Sequence, residues 1–251
     1  MSTIYDGNGH TIIIPSGNTS TKKYSPIFDN TQIIGHQANT IAKFETYRTN
    51  GLKFVEADIM IASDGTGLLA HNDNFTVNGT TYYISQMTYD QIVATGASID
   101  TLNDLFERCK KFNIALYLDI KNGTTSNITS IYNLVRDWGM LSQTVFGTIT
   151  TAVAGVLGAL NDSLIFDYTG GNNSTIDRAI RELPDCSLIF MHYNTHSSTP
   201  SETQITAFKY AHEKGLKSYC WTVDDATVAN TDLDDGCDFV MSNSVTNSDM
   251  T

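Results

Sequence analysis

Eight short apolar runs suited to strands recur along the chain, with stretches of helical periodicity between them, and this alternation constrains the fold more than any other feature. The runs fall at 32–36, 54–62, 114–121, 144–150, 163–168, 187–193, 217–223 and 239–243. The helical stretches lie at 40–50, 101–112, 129–139, 152–160, 174–183 and 201–215. The last of these opens with Ser201 and Gln204 in capping-box spacing, which satisfies the orphan amides of a helix start. Eight strand runs with helical stretches between them in a chain of 251 residues predict an α/β fold of the (β/α)8 TIM-barrel type. An open, doubly wound sheet is the alternative, but no Gly-x-Gly-x-x-Gly loop follows the first run.

The flanks do not fit the repeat. Residues 1–30 are rich in Gly, Asn, Thr and Ser, with turn signals around short apolar runs, and predict an arm or hairpin ahead of a barrel spanning 31–251. Too few residues follow the last run for a full eighth helix, so the reading expects a truncated one, its side of the barrel covered by the arm or a partner, or left thin. Residues 72–100 separate the second run from its helix and predict a long loop at the top of the barrel, where such loops build active sites.

Charge narrows the partners. Fifteen Lys and Arg against 27 Asp and Glu give a net charge of −12, which argues against a nucleic-acid backbone or a polybasic membrane contact. A bound cation can still reverse the sign locally. No stretch is long and apolar enough for a membrane span, and the first residues lack the basic start and apolar core of a signal peptide. The expected setting is therefore the cytoplasm, or a virion or extracellular site reached by another route. Cys109, Cys186, Cys220 and Cys237 lack metal-site spacing and read as buried thiols. Thr and Asn are abundant, 33 and 20 residues, while 17% of residues are charged. Neutral polar groups thus share the work of solubilising the surface.

The chemistry concentrates at the ends of the runs. Glu56 and Asp58 stand two apart, so strand alternation sends both to one face, into the barrel if Val55, Ala57 and Ile59 pack outward. Asp119 and Lys121 repeat the spacing on the next run. Inward carboxylates are costly unless their charge is cancelled, and one hard divalent cation, Mg2+ or Ca2+, would cancel it. His36 ends the first run and His71 follows a turn after the second, so a barrel would bring both imidazoles to the same rim. Two histidines beside a cation suit phosphoryl transfer, one as base and one as acid. His192 closes the sixth run and is a further pocket candidate, whereas His10, His196 and His212 read as solvent-facing.

These residues sit in blocks that resemble the glycerophosphodiester phosphodiesterase family of the phospholipase-C-like barrel superfamily. The blocks are GHQANTIAKFETYRTNGLKFVEADI, SDGTGLLAHND, TLNDLFERCKKFNIALYLDIK and AHEKGLKSYCWTVDDATVANTDLDDGCDFVMSN, in that order. The resemblance implies His36 and His71 as the catalytic pair, and Glu56, Asp58 and Asp119 as ligands of Mg2+ or Ca2+. It further implies Lys121 on the phosphate and Trp221 walling a glycerol pocket. Gln37 stands where the family usually has Arg, and a neutral amide cannot replace a bidentate guanidinium on phosphate. The link from His36 to Thr40 is shorter than in the family, and Asp119 replaces a Glu. In these features the chain is similar to the sphingomyelinase D-type phospholipases, although Asn72-Asp73-Asn74 stands where those enzymes carry a cysteine-bearing loop.

The leading expectation is a metal-dependent phosphodiesterase acting on glycerophosphodiesters or on glycerol-phosphate polymers of the teichoic-acid type. A lyase forming a cyclic phosphate is one alternative. The other is a host-recognition or structural module, since the arm, the short C-terminal end and the Thr/Asn excess suit a homo-oligomer or an assembly at a viral tail or cell surface.

Overall fold

The computed structural model describes residues 2–5, 11–14, 24–147, 165–169, 172–182, 188–194 and 200–250. β1 (Ser2–Tyr5) and β2 (Thr11–Ile14) form an antiparallel hairpin. The main body follows as β3 (Ile33–Gly35), α1 (Ile41–Thr49), β4 (Phe54–Ile61), β5 (Gly67–Leu69), β6 (Asn74–Val77), β7 (Thr80–Tyr83), α2 (Tyr89–Ala94) and α3 (Leu102–Phe112). Next come β8 (Ala115–Ile120), α4 (Thr125–Asp137), β9 (Thr144–Gly147), β10 (Ile165–Thr169) and α5 (Asn173–Glu182). β11 (Leu188–Asn194), α6 (Glu202–Glu213), β12 (Lys217–Trp221), α7 (Ala226–Asp234) and β13 (Phe239–Ser242) complete it.

Eight of these strands are parallel neighbours in the order β3, β4, β8, β9, β10, β11, β12, β13, and the last pairs back to the first, Val240 opposite Ile33. The ring is closed by Gly35 opposite Val55, so the fold is the (β/α)8 barrel that the alternation predicts. Each expected run has its strand. The helix expected at 152–160 lies outside the described residues, as do 148–150 of the fourth run. α4 starts one turn before the expected 129, because the Thr124 hydroxyl caps its first turn by accepting from the Asn127 amide. After β13 the described chain holds a 310 turn, Asn247–Asp249, in place of a full helix. No helix among the described residues is long and apolar enough to cross a membrane.

Residues 67–100, which include the loop expected at 72–100, are more ordered than that expectation. β5 turns back antiparallel on β4, with Leu69 opposite Ile59, and β6 and β7 then form a hairpin in which Phe75 stacks on Tyr82 with ring centroids 5.4 Å apart. The short apolar run 67–69 and the weak alternation of 74–83 give little sequence signal for either.

Alternation on β4 divides the core. Val55, Ala57, Ile59 and Ile61 join the outer layer beneath the helices, while Phe54 joins the barrel interior with Ile34, Tyr117, Phe190, Tyr219 and Phe239. The floor of that interior is closed from below by Phe28, carried on a 310 turn, Pro26–Asp29, that Ser25 caps. Its ring lies edge-on to Phe54 at 5.2 Å and to Phe190 at 5.6 Å, and it is 1% exposed. The aromatic floor fills the lower barrel, so the open space lies at the opposite end, where the strands terminate. Phe28→Ala should cost about 3–5 kcal/mol, read by urea denaturation, and a loss under about 1 kcal/mol would show the plug to be dispensable.

Candidate active site

The C-terminal end of the barrel holds a cavity of about 260 Å³. His36, Gln37, Glu56, Asp58, His71, Asp119, Lys121, His192 and Trp221 all line it, so the structure brings together every site residue singled out from the sequence. Tyr117, Tyr219 and Met241, which sequence reasoning did not single out, complete the wall. Of the histidines read as solvent-facing, His10 and His196 lie outside the described residues. His212 is half-exposed on α6 and pairs with Asp238 at 2.6 Å.

The carboxylates are set by strand register. Asp58 on β4 lies directly opposite Asp119 on β8, and Glu56 projects from β4 one pleat below. One oxygen from each of the three lies within 4.8 Å of the others. Glu56 and Asp58 are each 2% exposed. Burial, then the neighbouring Asp58 charge, pushes the Glu56 carboxyl well above the usual carboxylate range, against the pull of the Gln37 amide. Lys121 answers part of this negative charge, with Nζ 2.8 Å from Asp58 Oδ1 and 2.6 Å from Asp119 Oδ2. Burial disfavours its ammonium, but the hydrogen bonds to Asp119 and Asp58 outweigh that and raise its pKa. One ammonium does not balance three carboxylates. A compact set of hard oxygen donors, with charge left over, fits a divalent cation such as Mg2+ or Ca2+.

The two histidines reach this cluster by different routes. His36 follows β3, its main-chain amide bonded to the Ser242 carbonyl and its own carbonyl accepting from the Tyr47 hydroxyl. A Cβ on Gly35 would fall 2.7 Å from the Tyr47 ring, so glycine there gives the ring its place. His36 Nδ1 lies 3.0 Å from Asn243 Oδ1, and the Asn243 amide group donates to Asp224 Oδ2 at 2.9 Å. That second bond orients the Asn243 side chain, leaving its oxygen to accept from His36. Nδ1 therefore carries the proton, and Nε2, 3.9 Å from Glu56 Oε2, keeps its lone pair. Burial lowers the His36 pKa below 6.5, against the raising effects of Asn243, Asp58 and Asp224. His71 is carried back over the site by β5, where the Ala70 amide bonds to the Asp58 carbonyl at 3.0 Å. It is exposed at the rim, with Nδ1 3.0 Å from Asn72 Oδ1.

The opposite wall is aromatic. His192 meets Trp221 edge-on at 6.2 Å and tilts over Tyr219 at 5.7 Å, while the Tyr219 hydroxyl donates to that of Tyr117 at 3.2 Å. Trp221 is 40% exposed at the mouth. Tyr117 can occupy its place because Gly147, two residues beyond its register partner Val145 on β9, has no Cβ, which would fall 2.1 Å from the tyrosine oxygen.

Besides the wall residues Tyr117, Tyr219 and Met241, sequence reasoning missed Asn39, Asn243 and Asp224. Asn39 bonds to Asp58 and Asn243 to His36, both residues that it did find, while Asp224 bonds to Asn243, and none carries a charge pattern or spacing of its own. Gly147→Ala should destabilise by about 1–3 kcal/mol through overpacking. The same change in a Tyr117→Ala background should cost far less, and additive losses in the double-mutant cycle would rule out this explanation.

The family model described as Glycerophosphoryl diester phosphodiesterase family matches residues 29–247. No curated protein sequence matches the chain. Among solved structures, a phosphodiesterase from Oleispira antarctica in complex with the product sn-glycerol-3-phosphate is similar with a TM-score of 0.71 at 17% identity, over 86% of this chain and 95% of that one. A glycerophosphodiester phosphodiesterase from Thermotoga maritima has a TM-score of 0.69 at 16% identity, over 85% and 94%. Another from Parabacteroides distasonis has 0.67 at 20%, over 85% and 93%. At these identities the structural likeness bears on the fold, and the family rests on the sequence match.

Proposed function

The chain belongs to the glycerophosphoryl diester phosphodiesterase family and is a phosphoric diester hydrolase, and on that premise we propose that it cleaves a glycerol-phosphate ester with two histidines around a divalent cation. The observation that carries this reading is the convergence of His36, His71, Glu56, Asp58, Asp119 and Lys121 on one cavity at the C-terminal end of the barrel. Glu56, Asp58 and Asp119 would hold the cation, which when bound draws charge from the non-bridging oxygens of the ester.

In this reading Lys121, tethered between Asp58 and Asp119, supplies a fixed positive charge beside the phosphoryl group. His36 is the base. With Nδ1 engaged by Asn243, its Nε2 takes the proton from the attacking hydroxyl, either the neighbouring glycerol hydroxyl or water. The lowered pKa keeps that nitrogen unprotonated at neutral pH, so its share of activity is lost only as pH falls through a value below 6.5. His71, at the rim, donates a proton to the departing alkoxide. Trp221 and His192 wall the glycerol moiety, and Gln37 offers the phosphate a neutral contact where a guanidinium would give a charged one. His36→Ala and His71→Ala should each lower turnover by about 10²–10⁴ with unchanged circular dichroism, and EDTA should abolish activity. Wild-type rates in both variants would sink the assignment, and EDTA-insensitive turnover would remove the cation.

A cavity of about 260 Å³ with Trp221 exposed at its mouth suits both small glycerophosphodiesters and a glycerol-phosphate polymer of the teichoic-acid type. Attack by the glycerol hydroxyl gives a cyclic phosphate, which water then opens; release of that ring would make the enzyme a lyase. Following the products from both substrates by phosphorus NMR is expected to show monoester as the end product. Accumulation of a cyclic ester would instead establish the lyase outcome, and hydrolysis of neither substrate would overturn the reading.

A further inference from the structure

The link between β3 and α1 reads β4 residue by residue. The Gln37 amide donates to Glu56 Oε2 at 2.7 Å, and the Ala38 amide donates to the Glu56 carbonyl at 2.7 Å. Asn39 then bonds twice to Asp58: its Nδ2 donates to Asp58 Oδ2 at 2.6 Å, and its Oδ1 accepts from the Asp58 amide at 2.8 Å. Gln37 takes a left-handed φ of 54° within this link. The first two contacts are made by main chain and can come from any residue type. The Asn39 contacts are made by a side chain, so they depend on this residue being asparagine.

We propose that Asn39 is a positioning residue for the cation site, a role that rests on the divalent-cation reading above. Gripping both the carboxylate and the amide of Asp58 fixes that side chain in one rotamer. With Oδ2 engaged by Asn39, Oδ1 is the oxygen turned to Lys121, 2.8 Å away, and so toward Asp119. The chemistry selects the residue. Aspartate would lose the donor and add a fourth negative charge, and serine is too short to make both bonds. Leucine or alanine would leave a nearly buried carboxylate to find its own orientation, since Asp58 is 2% exposed.

The test is calorimetric titration of Mg2+ and Ca2+ into the metal-stripped full-length protein. Asn39→Ala should bind about 10–100-fold more weakly than wild type, and raising the cation concentration should restore kcat with KM for the ester unchanged. Asn39→Gln keeps the amide but moves it by one methylene; it should weaken binding too, and it serves if the alanine variant does not fold. Thr40→Ala removes the neighbouring cap of α1 and controls for general loosening, so its affinity should match wild type. Wild-type affinity in the Asn39 variants, or equal weakening in Thr40→Ala, overturns the role of Asn39 alone. No binding to the wild type overturns the cation reading together with it.

Discussion

Three carboxylates on two adjacent strands are the constraint that the rest of the site is built around. With their oxygens within 4.8 Å, each fully ionised pair would repel by at least about 3 kcal/mol at an effective dielectric near 20. Three such pairs approach the entire net stability of a typical domain, roughly 5–15 kcal/mol. The cluster therefore exists only with compensation, and the structure supplies it from several directions. Lys121 contributes charge, the Gln37 amide and Asn39 contribute donors, and Glu56 is driven toward its protonated form. A bound cation would replace that last, partial solution with full ionisation of all three groups.

Register makes the crowding unavoidable. In parallel strands with Asp58 opposite Asp119, acids that point inward at the same level must be neighbours. The lower barrel is filled by Phe28, Phe54, Phe190 and Phe239, so polar groups and open volume are confined to the upper end. The site is thus fixed by where the aromatic packing stops. Links above the strands then bring the remaining groups to it: the short β3–α1 link carries His36 and Asn39, and the antiparallel return of β5 carries His71 over Asp58.

What the sequence made legible was the part governed by periodicity. The alternation of runs gave the barrel, and the two-residue spacing of Glu56 with Asp58, and of Asp119 with Lys121, gave the inward face. What stayed hidden depends on contacts between distant residues. Phe28 precedes the first barrel strand in a segment dominated by turn residues, and its role depends on rings from β4, β11 and β13. β5 is three residues long and declares itself only by pairing with Ile59 to Ile61. Asn243 and Asp224 orient His36 across 207 and 188 positions of sequence, and no local pattern marks an amide that does this.

The Thr/Asn excess, puzzling as surface composition, has a structural use at these same boundaries. Thr40, Thr88, Thr101 and Thr124 each cap a helix by accepting from an amide of its first turn. Asn113 ends α3 in a left-handed conformation that asparagine tolerates better than most residues. Asn122 holds the end of β4 much as Asn39 holds its middle, accepting from the Ile61 amide and donating to the Ile61 carbonyl. Aspartate could cap many of the same helices. Yet it would add negative charge beside Asp58 at position 39 and beside Asp224 at position 243, and it would remove the donors that Asp58 and Asp224 require. In a protein already at −12, with its acids gathered in one pocket, neutral amides and hydroxyls secure the links without adding to the repulsion that the site has to overcome.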